Sequence, residues 1–468
     1  MSQPRHTSVE HWRSGVQDAL NNPVLQSGLA GAMDYLQEKR RLQFPDQAVF
    51  EQRRQQASAI KKSALSRLPE LLEQLESRCQ ANGIQVHWAE TGQQASAIAL
   101  DICRQQKATS VVKGKSMVSE EIHLNDVLIA AGMSCLESDM GEYIVQLAGE
   151  TPSHIIMPAI HKTKQEIARL FADKIPGIQY TEDVDELIRI GRRVLRHAFE
   201  TADIGVSGVN FAVAETGTLC LVENEGNGRM STTMPKVHIA FMGIEKVVAS
   251  LNDLPPLLHV LTRSATGQNI STYVNMISGP RRGTDLDGPE QVHLILLDNG
   301  RSQAYADEQQ RQTLQCIRCG ACMNHCPVYR RVGGHTYDTT YPGPIGKILM
   351  PHLQGLMHTA HLPTASTLCG ACGDVCPVKI PIPELLQRWR YQASEVTPSN
   401  AKKREKFIWA FWRFANVHPK LYRLGLHMFS RIHPLLPDNL GPWTWKRRKP
   451  AFSKQTLHQQ MRKRRSHS

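Results

Sequence analysis

Residues 316–327 read C-I-R-C-G-A-C-M-N-H-C-P, and residues 366–377 read S-T-L-C-G-A-C-G-D-V-C-P. The first stretch sets Cys316, Cys319, Cys322 and Cys326 in the spacing C-x2-C-x2-C-x3-C-P, that of bacterial ferredoxin-type iron–sulfur ligation. Three thiolates two residues apart on a tight turn can each take a different iron of one cubane, and the small Gly320 and Ala321 let the backbone approach the sulfides. The second stretch repeats the pattern with Cys369, Cys372 and Cys376, but Ser366 stands where its first cysteine would be. In two-cluster proteins the cysteine before the proline serves the other cluster. That exchange gives one centre Cys316, Cys319, Cys322 and Cys376 and leaves the other Cys326, Cys369 and Cys372. The expected cofactors are therefore two [4Fe-4S] clusters. The second would be completed by Ser366, another side chain, water or substrate, or would be a [3Fe-4S] centre. A zinc ribbon is the competing reading; zinc usually takes two paired C-x2-C units rather than three thiols in succession and a Pro-capped fourth.

Forty-two residues separate Cys326 from Cys369, more than a compact β-rich ferredoxin needs, so helices are expected between the half-motifs, one opening at Ile345 after Pro342-Gly-Pro344. Upstream, between Ile84 and Asn299, short β-rich runs alternate with amphipathic stretches. Strands are expected at Ile84 to Trp88, Ser110 to Val112, His154 to Met157, Phe211 to Val213, Thr218 to Glu223, His238 to Met242, Ser271 to Met276 and His293 to Leu297. Helices are expected at Gln94 to Gln105, Lys162 to Ala172, Val184 to Ala202 and Leu257 to Arg263. Such alternation implies an α/β domain with a mainly parallel sheet. Before it, Leu65, Leu68, Leu71, Leu72 and Leu75 recur at helical spacing. The chain thus divides into an N-terminal helical region (1–68), the α/β domain (69–300), an α-helical ferredoxin-type domain (301–385) and a helical, basic tail (386–468).

Of 468 residues, 41% are hydrophobic and 21% charged, which excludes fibrous and wholly disordered classes. The net charge of +12 is unevenly spread: residues 401–468 carry 17 Lys or Arg against Glu405 and Asp438, so the body before them is nearly neutral. A basic end on a neutral body points to a docking segment for an acidic partner or membrane surface and away from nucleic acid. The same tail holds ten of the chain's 28 aromatics, including Trp409, Trp412, Trp443 and Trp445; the packed alternative is helices lying against the cysteine domain. No apolar run reaches the ~18 residues of a membrane span, and the first residues lack the apolar core of a signal peptide. The expected location is the cytoplasm, or the cytoplasmic face of the membrane. Eleven cysteines there are not a disulfide framework; Cys79, Cys103, Cys135 and Cys220 are scattered.

Weaker signals need weighing. Lys113-Gly-Lys-Ser116 resembles the end of a P-loop, but Thr109 stands where the pattern needs glycine, so ATP binding is rejected. Gly226-x-Gly228 after a strand is a partial dinucleotide fingerprint with Ser231 in place of its third glycine and no clear helix following. His154 and His161, like any single histidine among 20, read as surface or capping residues. An enzymatic alternative has the α/β domain binding an organic acid or nucleotide through Lys113, Lys115, Glu215 and Arg229 and passing electrons to the clusters.

The order of these segments, with V-V-K-G-K-S-M at 111–117 and A-E-T-G-T at 214–218, resembles the lactate utilization protein B family over essentially the whole chain. The resemblance implies a LUD domain of NagB/RpiA/CoA-transferase-like fold. It implies an electron-transfer subunit of a bacterial system oxidising L-lactate to pyruvate, a component of a dehydrogenase complex rather than an enzyme alone. Its implied partners are a cysteine-rich redox protein and a second LUD protein. The seven motif cysteines carry over as ligands, and no catalytic residue does.

Overall fold

The computed structural model describes residues 7–396, 399–439, 444, 449, 453 and 455–465. Residues up to Glu395 form one compact unit and residues from Val396 a second.

The first unit opens with four helices, α1 (Val9–Asn21), α2 (Pro23–Gln43), α3 (Gln47–Ser66) and α4 (Leu68–Ala81). Their starts are written in the sequence. Ser8, Asn22 and Asp46 cap α1, α2 and α3 with side-chain oxygens on free amides, and Pro23 sits at the first position of α2, where no N–H is needed.

Ten strands follow: β1 (Ile84–Ala89), β2 (Ser110–Lys113), β3 (Ser134–Glu137), β4 (Ile204–Gly208), β5 (Phe211–Val213), β6 (Thr218–Glu223), β7 (Val237–Gly243), β8 (Val247–Val248), β9 (Tyr273–Ile277) and β10 (Gln291–Leu297). Six make a wholly parallel sheet in the order β1-β10-β7-β4-β2-β3. A parallel sheet is covered on both faces, so its inner strands are apolar throughout, and every residue of β7 is buried. Alternate side chains serve opposite faces. Ile239, Phe241, Ile295 and Leu297 pack with Ala95, Ala99 and Ile102 of the helix Gly92–Gln105, whereas Ala240, Met242, Leu294 and Leu296 pack with Leu68, Leu71, Leu72 and Leu75 of α4. The other strands form a small mixed sheet, β8-β5-β6-β9, with β5–β6 and β6–β9 antiparallel.

The expected α/β domain with a mainly parallel sheet, followed by a helical ferredoxin-type segment, is what the structure contains. Three local readings need correction. His154 to Met157 is a bend, not a strand: it lies between Pro152 and Pro158, and His154 Nδ1 accepts the amides of Ile156 and Met157 at 3.0 and 3.1 Å, closing a turn. A short helix, Asn227–Thr233, does follow Gly226-x-Gly228. It lies so close to β4 that a side chain at Gly205 would strike the Ser231 carbonyl. Finally, β3, β4 and β8 lie outside the expected strands; β8 is only two residues long and β4 begins and ends among glycines.

The cysteine segment has no separate core. Ile317, Cys319, Tyr329, Ile348 and Trp389 share one apolar cluster with Met33 and Leu36 of α2, with Phe211 and Cys220 of the small sheet, and with Leu257 and Val260 of the helix Leu254–Ala265.

In the second unit the helices Ser399–Val417 and Pro419–Ile432 expose large apolar side chains, among them Phe407, Trp409, Phe411, Trp412, Phe414, Leu424 and Phe429. Trp443 and Trp445 lie outside the described residues. Among the described residues no helix is long and apolar enough to cross a membrane.

Candidate iron–sulfur site

Both cysteine motifs fold into the same backbone shape. Arg318 and Leu368, each just before a cysteine, take the left-handed conformation with φ of +61° and +53°, and Gly320 and Gly370 follow with +75° and +88°. A single helical turn comes next in each, Ala321–Asn324 and Ala371–Asp374. In the first motif the Arg318 amide donates to Cys316 Sγ at 3.4 Å. The matching bond in the second runs from the Leu368 amide to Ser366 Oγ at 3.2 Å.

The cysteines of the two motifs lie close enough to act on one another's charge. Cys322, buried, is driven well above the usual thiol range by burial and then by the neighbouring Cys316, Cys319, Cys376 and Cys372. Burial pushes Cys319 up to about 12, with Cys376 the next contribution. Cys372 is likewise pushed up to about 12, by burial and then by Cys326. Cys326, Cys369 and Cys372 line one cavity, together with His325 and Ser366.

These surroundings fit iron–sulfur ligation. Buried thiols that repel one another's negative form can ionise only where a cation meets them, and a cluster's irons supply that charge. Backbone amides already face the sulfurs: besides Arg318, Tyr329 N–H points at Cys326 Sγ (3.5 Å) and Ile380 N–H at Cys376 Sγ (3.3 Å). Among the described residues the motif thiols do not converge within 4.8 Å as the ligands of one metal ion would. Cys79, Cys135 and Cys220 are buried thiols pushed up to about 12, and Cys103 to about 11, each chiefly by burial; such thiols are inert packing groups.

Cations that the motifs alone do not reveal surround the sulfurs. Lys347, 1% exposed, stands 4.0 Å from Cys326 Sγ and lies over the Tyr337 ring. Its signal was a lone lysine in the apolar run G-P-I-G-K-I-L-M. Arg54 of α3 donates to the carbonyls of Cys376 and Gly373, both at 2.9 Å, and Arg40 of α2 to that of Val375 at 3.3 Å. The N-terminal helices therefore clamp the second motif from the far end of the chain.

A buried ionic network ties the first motif to the α/β domain. Glu245 accepts from Arg301 at 2.6 Å and from Arg318 at 3.2 Å, and Arg301 also donates to Glu121 at 2.6 Å. These two arginines hold the Glu245 carboxyl down at about 2 against the effect of its burial. Lys61 of α3 donates to the Glu245 carbonyl at 2.6 Å.

The α/β domain's own polar cluster lies at the ends of the adjoining strands β2 and β3, which carry Lys113 and Glu137. Three of the four residues of the enzymatic alternative have protein partners, and the Lys113–Lys115 loop packs against the Gly226–Gly228 loop that precedes Arg229. Lys113 spends its three donors on Ser119 (3.2 Å), Glu120 (2.7 Å) and Glu137 (2.8 Å). Lys115 is bonded to the Ile156 carbonyl, and Glu215 to the Leu251 amide. Arg229 is exposed. Of the two singled-out histidines, His154 is buried against Asn324 at 2.9 Å. His161 sits with Glu150 and His335, their ligand atoms within 4.8 Å of one another, and Lys162 also pairs with Glu150.

Comparison with known proteins places these elements. The LUD domain model matches residues 72–297, the 4Fe-4S dicluster domain residues 312–380, and the model for the C-terminal part of lactate utilisation protein B residues 391–466. Lactate utilization protein B of Lysinibacillus sphaericus is 40% identical over 468 residues, covering 98% of this chain and 98% of that protein. Its namesake from Bacillus velezensis is 42% identical, over 88% of this chain and 87% of that protein. An uncharacterized electron transport protein of Escherichia coli, YkgF, is 41% identical over 90% of this chain and 88% of that protein.

Proposed function

The chain belongs to the lactate utilization protein B family, and from that premise we propose that it is the electron-transfer subunit of a bacterial system oxidising L-lactate to pyruvate. What supports this reading is that the Pro-capped cysteines sit beside the opposite motif: among thiols Cys319 feels Cys376 most, and Cys372 feels Cys326 most. Cys316, Cys319, Cys322 and Cys376 would hold the first centre, and Cys326, Cys369 and Cys372 the second. When bound, such clusters accept and release single electrons. The protein's part is to hold the thiolates, to direct the Arg318, Tyr329 and Ile380 amides at them, and to keep Lys347 beside Cys326. Each of these favours the more negative, reduced state.

The partners in this reading are a cysteine-rich redox protein and a second LUD protein. The exposed aromatics of the tail and its excess of positive charge support peripheral contact with an anionic membrane on the cytoplasmic side. Co-sedimentation of the full chain with anionic vesicles at low salt, lost at high salt, is the expected result. The central reading is tested by purifying the chain without air, counting iron and sulfide, and recording EPR spectra before and after dithionite. Two interacting reduced centres are expected, and zinc without sulfide would refute electron transfer. In cells, Cys319→Ala should abolish growth on lactate while the α/β domain stays folded.

A further inference from the structure

Resting on the two-centre reading, we propose that Ser366 Oγ is the fourth protein ligand of the second centre, making it a [4Fe-4S] cluster held by three cysteines and one serine. The argument is the internal repeat. Cys316 and Ser366 open motifs whose backbones turn alike, through Arg318 and Leu368 and then Gly320 and Gly370, all left-handed. The amide two residues on donates to the first side chain in both, at 3.4 Å to Cys316 Sγ and 3.2 Å to Ser366 Oγ. A hydroxyl that merely closes a turn would account for that bond. It would not account for Ser366 lining the cavity shared by Cys326, Cys369 and Cys372.

Other contacts hold the serine in place. Arg390 donates to its carbonyl at 2.6 Å and to that of Pro363 at 2.8 Å, fastening the strand of chain that carries it to the helix Ile382–Val396. The other polar side chains on the cavity are Thr367, hydrogen-bonded to Cys369, and His325, whose Nδ1–H goes to the Ala321 carbonyl at 2.9 Å and leaves a lone pair on Nε2; neither stands at the place of Cys316 in the repeat. On binding, the Ser366 O–H bond breaks, its proton goes to solvent, and an Fe–O bond forms. No electron changes hands.

The test uses the full chain, purified without air or rebuilt with ferrous iron and sulfide, as wild type, Ser366→Ala, Ser366→Cys and His325→Gln. Iron and sulfide counts, Mössbauer and EPR spectra are the readouts. Wild type should hold about eight irons and Ser366→Ala about seven, with a three-iron signal on oxidation and the first centre unchanged. Ser366→Cys should keep about eight, and His325→Gln should match wild type. If Ser366→Ala loses the whole second centre, restoration of about eight irons by Ser366→Cys supports ligation, and failure to restore them counts against it. A Ser366→Ala protein with wild-type iron content and spectra overturns the proposal. So does a wild type that holds about seven irons and reaches eight only as Ser366→Cys. About four irons in the wild type would remove the second centre itself, a failure of the two-centre reading that the first centre's spectrum identifies.

Discussion

The two cysteine motifs share a backbone and differ in their cover. Around the first, Cys319 and Cys322 are buried, and Arg318 is locked between Glu245 and the Tyr341 ring. Around the second, Cys372 and Cys376 are buried too, but Cys369 is exposed and borders a small cavity with Ser366. A repeated local sequence thus produces one insulated and one accessible site, because burial is decided by what the rest of the chain lays over each copy. For electron transfer this suits a buried centre joined to an exit near the surface.

The largest expected effect breaks the insulation of the first motif. Glu245→Gln leaves Arg301 and Arg318 buried without their shared carboxylate, which should cost roughly 3–5 kcal/mol of stability. Thermal unfolding of the cluster-loaded chain would measure it, and a change near zero would mean the network does not weld the motif to the α/β domain.

Acid acts on the same side of the comparison. Burial lowers His154 to about 4 against an ordinary value near 6.5, and it stays neutral, its Nε2–H on Asn324 and its Nδ1 taken by two amides. The unfolded chain therefore binds the proton first. Its share of the stability should be level above pH 7 and fall by roughly 3 kcal/mol as pH drops from 6.5 to 4, beside the shares of His238, His293 and His352, whose pKa values burial also lowers. His154→Gln should lessen the decline by that share alone, as followed by unfolding at stepped pH.

Smaller changes sharpen the contrast from the second motif. Lys347→Met removes a cation beside Cys326 and should lower the second centre's midpoint by roughly 50 mV in a dithionite titration, leaving the first within a few millivolts. Smallest in energy, yet direct, is labelling of the cluster-free chain. Cys369 should react with iodoacetamide before Cys319, Cys322 or Cys376, as peptide mass mapping would record.

Much of the fold was legible because its determinants are local. Thr163 with Glu166 closes a capping box at the helix Lys164–Lys174, and Asp183 caps Val184–Thr201. The apolar runs of β7 and β10 announce strands buried on two faces. Legibility failed where a residue's role depends on a distant partner. His154 looks like part of a strand until its ring is seen capping its own turn, and Lys113 looks like an anion ligand until Glu120 and Glu137 claim it.

By itself, then, the sequence determined the two thiol sets, the parallel α/β character and the basic tail, since spacing, periodicity and charge are properties of neighbours along the chain. Only the tertiary structure decided that α2 and α3 reach across to the second motif through Arg40 and Arg54, that Glu245 pairs two arginines from beyond the sheet, and that Ser366 lines one cavity with Cys326 of the other motif. Those outcomes depend on desolvation and on charges meeting across hundreds of residues, and no local pattern encodes them.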